Sequence, residues 1–224
     1  MAKAPVAGAV KTRLCPPLHP TEAAELAAAA LTDTLHVVAA CGASERFVAL
    51  DGEPGPWLPP GFTVIAQRGD TFAERLQNAW TDTGGPTLQI GMDTPQVTAE
   101  LLDASLTALD SSPGAVLGHA HDGGWWALGM LRAHKGVFRD IPMSTPSTGA
   151  QQADRLHDLG LGPDLLPPLV DVDEWQHAVD VARAVPDGRF GRCVADLVTR
   201  IEHRSVPGQI RLGQGRAASA GGAP

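Results

Sequence analysis

The sequence predicts an α/β fold in which helices cover both faces of a mostly parallel central sheet. Short apolar segments alternate along the chain with amphipathic segments of about 10 to 20 residues, which is the pattern of repeated β-α units. The 224 residues suit one medium-sized domain. With 43% hydrophobic and 19% charged residues, the composition is typical of a globular protein with an ordinary core.

Six helices are predicted, because apolar residues recur at helical spacing between recognisable start and stop signals. Thr21 is suited to cap the first helix, Glu22 lies in its first turn, and Gly42 ends it. Thr98 begins another helix and is followed by Glu100 in the first turn. The predicted helices span 21–41, 71–80, 98–109, 146–159, 174–184 and 190–201.

Six strands are predicted from short apolar runs that are bounded by turn residues. The predicted strands span 46–50, 62–66, 86–91, 114–118, 126–131 and 169–172. In open α/β sheets, ligands bind beyond the carboxyl ends of the strands. The loops that follow these strands are therefore where we expect a site.

Residues 1–203 are predicted to form the domain, and residues 204–224 a disordered tail. From Pro207 onward the chain is rich in Gly, Ala and Ser and holds only isolated charges, so it offers little apolar surface to bury.

Charge and composition exclude several classes of function. The formal net charge of −8 argues against a general nucleic-acid binder, since such affinity comes from clustered Lys and Arg. No uninterrupted apolar run approaches the roughly 18 residues of a membrane span, and the first residues lack the apolar stretch of a secretory signal. Cys15, Cys41 and Cys193 are widely spaced, which indicates neither a disulfide framework nor a structural zinc site. We expect a cytoplasmic protein with no nucleic-acid or membrane partner.

A basic segment at the start of the chain is the first candidate site. Lys3, Lys11 and Arg13 concentrate positive charge around Gly8, which allows a ligand to approach the backbone closely. Such a loop ahead of a helix can cradle phosphate groups. It is not a Walker A loop, and the alternative is a solvated basic surface loop.

Two acidic segments follow predicted strands and offer ligands for a hard cation. Asp93 follows the strand 86–91 and can hold Mg²⁺ or Mn²⁺, or alternatively cap the next helix. Asp171 lies in the predicted strand 169–172 and Asp173 directly after it. Since residues two apart in a strand point to the same face, both carboxylates could serve as a second set of metal ligands. Asp173 can alternatively cap the helix that follows.

A segment that reads HAHDGGWW joins two predicted strands. Asp122 is followed by Gly123 and Gly124, which allow the backbone to come close to a ligand. His119 and His121 have the spacing of a zinc pair on a strand, but no third His or Cys lies near in sequence, which disfavours zinc. Of the two tryptophans, one is expected in the core, while the other can wall a pocket.

Five segments, taken together and in order, resemble one known family. They read AKAPVAGAVKTRL, IGMDTPQVTAELL, GHAHDGGWWALGM, FRDIPMSTPSTGAQQADRL and LVDVDEW. Over residues 2–185 the chain resembles the DUF2064 group of GT-A-like transferases, which is also labelled a glycosyltransferase family linked to arsenosugar biosynthesis. It is similar, more distantly, to 2-phospho-L-lactate and molybdenum-cofactor guanylyltransferases.

The resemblance implies a single-domain, Rossmann-like GT-A fold, as in nucleotide-diphospho-sugar transferases, with Mg²⁺ or Mn²⁺ as the cofactor. It implies metal ligands at Asp93, Asp122 and Asp173, and catalytic roles for Asp93, Asp122 and Lys11. The nucleotide-binding residues that it implies are Lys3, Gly8, Lys11, Thr12, Arg13, Gln67, Arg75, Gly123 and Gly124.

The resemblance implies metal-dependent transfer from an activated nucleotide, foremost glycosyl transfer from a nucleotide-diphosphate sugar to a small acceptor. A first alternative is a nucleotidyltransferase that passes NMP from an NTP to a phosphorylated small molecule, because similar residues serve both reactions. A second alternative is an inactive nucleotide-binding protein, which would fit Ala7 and Ala9, since the family usually has Pro and Arg there. The expected partners are a nucleotide sugar or NTP and a small-molecule acceptor, and a homodimer is compatible with the sequence.

The start of the chain predicts a truncated first strand. In the family, the Ala-Lys-Ala-Pro motif ends an apolar central strand, whereas here only Met1 stands before Ala2. Loss of a central strand would leave buried backbone groups unpaired, each at a cost of about 1–3 kcal/mol. We therefore expect the native protein to carry about 5–15 further residues, with an apolar, β-branched run directly ahead of Ala2.

Overall fold

Seven strands and six helices make up the described part of the chain, which is residues 1–205 of the computed structural model. The strands are β1 (Ala2–Lys3), β2 (Phe47–Asp51), β3 (Thr63–Ala66), β4 (Thr87–Ile90), β5 (Ala115–Ala120), β6 (Trp125–Met130) and β7 (Asp164–Leu169). The helices are α1 (Pro20–Ala40), α2 (Phe72–Thr83), α3 (Ala99–Ser111), α4 (Thr148–Asp158), α5 (Trp175–Ala184) and α6 (Arg189–Ser205). A short 3-10 helix, Thr12–Leu14, lies between β1 and α1.

The helix starts follow local capping chemistry. α1 begins at Pro20, so the prediction that Thr21 caps it is wrong; proline is favoured at the first helical position because its nitrogen needs no partner there. The backbone N–H of His19 donates to the Glu22 carboxylate at 2.9 Å. Thr98 caps α3 as predicted, and its hydroxyl accepts a backbone N–H of the first turn.

The strands form two sheets, whereas the sequence predicted one central sheet. The first is parallel, with the order β1-β2-β3. The second has the order β4-β6-β5-β7, in which β6 runs antiparallel to both of its neighbours and β5 runs parallel to β7. β1 pairs with β2 only at Ala2 and Lys3, and this short strand does not join the two sheets. The predicted α/β fold is confirmed, and β1 comprises two residues.

β7 corrects one predicted strand. The sequence placed a strand at 169–172, but β7 ends at Leu169 and the two following aspartates lie in the loop beyond it. Pro167 and Pro168 argue against a strand interior because proline donates no ladder hydrogen bond. Since β7 pairs with β5 alone in the described chain, it is an edge strand, where proline is tolerated.

Helices cover both faces of the second sheet, as predicted. Val116 of β5 packs in one cluster with Leu109 of α3, and its neighbour Leu117 packs in another cluster with Leu76 of α2. Successive strand residues point to opposite faces, so α3 and α2 lie on opposite sides of β5. All four of these side chains are almost fully buried.

α1 has the length and apolar composition that a membrane span requires, and it is the one helix in the described residues that does. A single such helix is weak evidence for a span, because core helices meet the same criteria. Leu26 and Ala30 of α1 pack against Phe190 and Leu197 of α6 in a buried cluster.

The predicted tail begins inside α6, which continues to Ser205. The remainder of that tail, 206–224, lies outside the described residues.

Candidate functional site

Three carboxylates meet beyond the ends of two neighbouring strands. Asp122 follows β5, and Asp171 and Asp173 follow β7, which runs parallel beside β5. One carboxylate oxygen from each residue lies within 4.8 Å of the other two. Because parallel neighbours end at the same edge of a sheet, residues far apart in sequence come together here. We call these three residues the acidic triad.

Two basic side chains that follow β1 reach one carboxylate of the triad, that of Asp173. Lys11 Nζ lies 3.0 Å from Asp93 Oδ1 and 3.4 Å from Asp173 Oδ1. It also donates a hydrogen bond to the carbonyl of Val172 at 2.6 Å. Arg13 Nη1 lies 2.7 Å from Asp173 Oδ2. The loop predicted to cradle phosphates therefore faces the acidic triad, and it supplies the positive charge nearest to it.

The backbone of Lys11 is held in an unusual conformation. Its φ of 49° and ψ of 37° lie in the left-handed region, which costs a residue with a side chain on the order of 1–2 kcal/mol. The side chain is only 11% exposed and contacts two carboxylates and a carbonyl, which offset that cost.

Asp93 reaches the site from the end of β4. Its carbonyl accepts the N–H of Val172 at 2.9 Å, which joins the loop after β4 to the loop after β7. The alternative that Asp93 caps the next helix is wrong, because Thr98 caps α3. Asp93 does not belong to the triad but adjoins it through Lys11, and its side chain is 38% exposed.

Asp171 carries the perturbed carboxyl group of the site. Burial raises its pKa above the ordinary value, and the charges of Asp122 and Asp173 raise it further. A hydrogen bond from its own backbone and the charge of Lys11 lower the pKa, but they do not outweigh burial. Asp171 is the one triad residue missing from the metal-ligand set that the resemblance implies, although the alternation of Asp171 with Asp173 is visible in the sequence.

The site fits a hard divalent cation by the chemistry of its donors. Mg²⁺ and Mn²⁺ prefer carboxylate oxygens, and the triad offers three carboxylates at close range. An ammonium and a guanidinium group already lie against Asp173, so the site balances negative charge with cationic groups of its own. Asp122, Asp171 and Asp173 are thus the residues that could hold a metal ion, with Asp93 beside them.

The turn that carries Asp122 is shaped by contacts within the protein. The N–H of Gly124 donates to Asp122 Oδ1 at 2.6 Å, which orients that carboxylate. Gly123 has a φ of +90°, and a Cβ there would overlap the carbonyl group of Pro146. The carbonyl of Gly123 also accepts the N–H of Gly149 at 2.7 Å. Gly123 therefore allows the start of α4 to pack on this turn, and contact of Gly123 or Gly124 with a nucleotide stays a prediction.

Three further residues of the predicted nucleotide set lie along the basic segment. Gly8, with a φ of +77°, and Thr12 are exposed in the loop that carries Lys11. Lys3 lies apart from this loop, where its ammonium is 3.9 Å from the Asp51 carboxylate at the end of β2. The structure thus brings Lys11 and Arg13 to the triad, whereas Lys3 pairs elsewhere.

Gln67 and Arg75 contact other parts of the protein. Gln67 Nε2 donates to the carbonyls of Ala2 and Ala49 at 2.8 and 3.0 Å, which ties β1 to β2. The guanidinium of Arg75 lies 5.8 Å from the centroid of the Phe72 ring. Its Nε is buried and has no hydrogen-bond partner among the described residues. Roles for Gln67 and Arg75 in nucleotide binding stay predictions.

One of the two tryptophans lies in the core, as the sequence predicts. Trp126 is buried, and its indole N–H donates to the carbonyl of Pro167 at 2.9 Å. Trp125 is half-buried and stacks on Phe138 with ring centroids 6.3 Å apart. Within residues 1–205, no group of three metal-ligating side chains includes a histidine.

The family described as uncharacterized proteins conserved in bacteria (DUF2064) matches residues 23–145, more than half of the chain. The chain belongs to the DUF2064 family. The family predicted from the five segments is therefore confirmed. No curated protein matches this DUF2064 chain.

A solved structure shares the fold of this DUF2064 protein. A protein from Desulfovibrio desulfuricans G20, provisionally named a nucleotide-diphospho-sugar transferase, matches with a TM-score of 0.79 at 23% identity. The match covers 92% of this chain and 96% of the other, and it confirms the predicted fold. A homologue of Mycobacterium tuberculosis rv0371c from Mycobacterium sp. strain JC1 matches at 18% identity, with 76% and 83% of the two chains covered and a TM-score of 0.43, which is too low to inform the fold.

Proposed function

We propose that this protein is a divalent-metal-dependent transferase that acts on an activated nucleotide, with a nucleotide-diphosphate sugar as the donor. The observation that carries the proposal is the acidic triad with Lys11 and Arg13 against it. Carboxylates that hold a cation and basic groups that bind phosphate oxygens are the two elements that a diphosphate site requires. The provisional name of the structural neighbour from Desulfovibrio supports the same class of donor.

Asp122, Asp171 and Asp173 would hold the metal ion, and Asp93 would lie beside it. When bound, Mg²⁺ or Mn²⁺ supplies Lewis-acid stabilisation of charge on phosphate oxygens. Burial, and then the charges of Asp122 and Asp173, disfavour the charged form of the Asp171 carboxylate and raise its pKa, so a cation at the triad would favour that charged form. Metal affinity is therefore expected to rise with pH as Asp171 ionises.

Lys11 and Arg13 would bind the diphosphate and neutralise the charge that develops when it leaves. Both side chains now lie on Asp173, so they stand where a phosphate bound beside the triad would meet them. Fixed positive charge that is already oriented toward a developing anion is usually the largest contribution to catalysis of this kind. Gly8 and Thr12, exposed in the same loop, would leave room for the phosphate to approach.

In the glycosyl reaction, a nucleophilic group of a small acceptor attacks the anomeric carbon and a nucleoside diphosphate leaves. In the nucleotidyl alternative, a phosphorylated acceptor attacks the α-phosphate and pyrophosphate leaves. Both place negative charge against the same basic groups, so the released product distinguishes them. An inactive nucleotide-binding protein would release neither product. The proposed place of action is the cytoplasm.

The first experiment measures thermal unfolding with UDP-, GDP- and dTDP-sugars and with NTPs, each with Mn²⁺ and with EDTA. We expect one nucleotide class to raise the unfolding midpoint only when Mn²⁺ is present, because the triad binds diphosphate through the cation. Tight nucleotide binding in EDTA would contradict the metal-dependent mechanism. The active class is then incubated with candidate acceptors, and nucleoside diphosphate and pyrophosphate are assayed separately.

Matched variants test which carboxylates the Mn²⁺-dependent shift of the unfolding midpoint requires. Asp122→Asn keeps the oxygen that accepts from Gly124, so the turn is preserved while the charge is lost. Asp171→Asn removes a half-buried charge that is costly without a cation, so it should stabilise the metal-free protein. Both should lose the Mn²⁺-dependent shift, whereas the control Asp154→Asn, at an exposed position in the middle of α4, should retain it.

A further inference from the structure

In the described chain, Asp171 is the one carboxylate of the acidic triad that no other residue orients by a hydrogen bond. Asp122 accepts the N–H of Gly124, and Asp173 accepts from two basic side chains. The Asp171 carboxylate accepts a hydrogen bond only from its own backbone. Its position therefore depends on how the backbone on either side of it is held.

Three hydrogen bonds hold the backbone that flanks Asp171. On one side, Gln96 Nε2 donates to the carbonyl of Val170 at 2.5 Å. On the other side, the N–H of Val172 donates to the carbonyl of Asp93 at 2.9 Å. The carbonyl of Val172 also accepts from the ammonium group described above, at 2.6 Å. We call these three hydrogen bonds the clamp.

The clamp connects parts of the fold that strand pairing leaves unconnected. Gln96 and Asp93 both lie in the loop that follows β4, whereas Asp171 lies in the loop that follows β7. β4 and β7 are the two outer strands of the second sheet, with β6 and β5 between them. No ladder hydrogen bond can therefore fix the ends of β4 and β7 relative to each other, and the clamp does so directly beside the triad.

The amide of Gln96 makes its bond at an energetic cost. A carbonyl can only accept, so the nitrogen of this amide faces Val170. Gln96 Oε1 is shielded from solvent and has no hydrogen-bond partner among the described residues. An acceptor that has lost its water and gained no partner is unfavourable, whereas an apolar side chain of similar length would avoid this cost. The donor of Gln96, rather than packing, therefore accounts for this residue.

We propose that Gln96 is a positioning residue of the metal site, which holds the Asp171 carboxylate in the triad through the carbonyl of Val170. This inference rests on the proposed function, because it assigns Gln96 a role toward the divalent cation. Cations such as Mg²⁺ hold oxygen ligands at about 2.0–2.1 Å and tolerate little departure from their preferred geometry. Loss of the Gln96 bond should therefore weaken binding of the cation although every carboxylate remains.

The test replaces Gln96 by methionine and uses no nucleotide. Methionine keeps an unbranched side chain, while the donor and the unpaired acceptor are removed together. Mn²⁺ affinity is measured by isothermal titration, and stability by urea unfolding in EDTA. We expect Mn²⁺ to bind about 10-fold more weakly, the lower end of the effect of residues that orient metal ligands, because Gln96 acts on the backbone beside the ligand. The midpoint of urea unfolding should change little, because a favourable bond and an unfavourable acceptor are lost together.

Thr98→Ala is the matched control. It removes the cap of α3, the helix that follows the loop of Gln96, but none of the three hydrogen bonds of the clamp. It should lower the midpoint of urea unfolding and leave the Mn²⁺ affinity unchanged. The two variants therefore separate loss of stability from loss of metal affinity.

Amide hydrogen exchange in the metal-free protein measures the clamp itself. The N–H of Val172 donates to the carbonyl of Asp93, so it should exchange at least about threefold faster in Gln96→Met, because the segment is held at fewer points. The amide of Gly91, which donates to Trp126 of β6, is the internal control and should not change.

Unchanged Mn²⁺ affinity in Gln96→Met would overturn the inference and leave the proposed function standing. An equal loss of affinity in Thr98→Ala, or unchanged exchange at Val172, would overturn it in the same way. If the unchanged protein bound no Mn²⁺, the proposed function would fail, and this inference with it. If Gln96→Met does not fold, Gln96→Asn is measured in its place, because its amide is one methylene too short to reach the carbonyl of Val170.

Discussion

Replacing Lys11 by methionine separates the charge of this side chain from its shape. Methionine keeps most of the unbranched chain, so the packing around it is largely preserved, while the ammonium group is lost. In the metal-free protein the substitution leaves Asp93 and Asp173 without that partner and deprives the carbonyl of Val172 of its 2.6 Å hydrogen bond. We expect a loss of stability that a divalent cation restores.

The magnitude follows from the geometry of the pair. At 3.0 Å and an effective dielectric constant of ~20, the Lys11–Asp93 attraction is about 5 kcal/mol before desolvation is counted. The Lys11 side chain is only 11% exposed, so its desolvation cancels much of this attraction. Solvent around the Asp93 side chain, which is 38% exposed, screens the attraction further. The expected net loss in the free energy of unfolding is about 1–3 kcal/mol.

The assay is urea unfolding in EDTA and in Mn²⁺, with Lys3→Met as the control. Lys3 is half exposed and 3.9 Å from Asp51, so its replacement should change stability by less than about 0.5 kcal/mol. Mn²⁺ should stabilise Lys11→Met more than the unchanged protein, because the ammonium no longer competes for the carboxylates. An equal response to Mn²⁺ in both proteins, or a loss no larger than that of Lys3→Met, would refute this account of the site.

Three further predictions test other parts of the molecule. Asp93→Ala should weaken Mn²⁺-dependent nucleotide binding in isothermal titration, because Asp93 is a partner of Lys11 beside the triad, and it should cost less than about 1 kcal/mol of stability, since this ion pair is partly exposed. Thr98→Ala, which removes the α3 cap, should keep binding and lose about 0.5–2 kcal/mol in a denaturant melt. Burial lowers the pKa of the Met1 amino group from its ordinary value of 8.0 to about 6, so the unfolded state binds more protons between these pH values. In a chain that begins at Met1, stability should therefore rise by about 3 kcal/mol from pH 6 to pH 8. Acetylation of the Met1 amino group should remove that part of the pH dependence of urea unfolding, and a slope that acetylation leaves unchanged would contradict the buried amino group. Gly123→Ala should destabilise the fold by at least about 2 kcal/mol, because φ is +90° and the new Cβ would overlap the Pro146 carbonyl; a thermal midpoint within 2 °C or so of the original would contradict this.

Local signals predicted most of the elements but not all of their ends. Thr98 was recognised as a helix start because its hydroxyl accepts a backbone N–H within the same turn, which a short stretch of sequence determines. The first helix was misplaced by one residue, because Pro20 outweighs the hydroxyl of Thr21. The strand predicted at 169–172 was misplaced, because β7 runs through two prolines and ends at Leu169, which an edge strand tolerates.

The sequence by itself determined that Asp122, Asp171 and Asp173 follow apolar runs, since the order of residue types along the chain is enough to place them near strand ends. Only the tertiary structure decided which of these residues meet. Asp122 and Asp171 join because β5 and β7 are parallel neighbours, and Asp93 stays outside the close group because Lys11 stands between it and Asp173. The physical reason is that packing and charge over the whole fold determine the order of the strands and the direction of a long side chain such as that of Lys11. A short stretch of sequence does not contain this information.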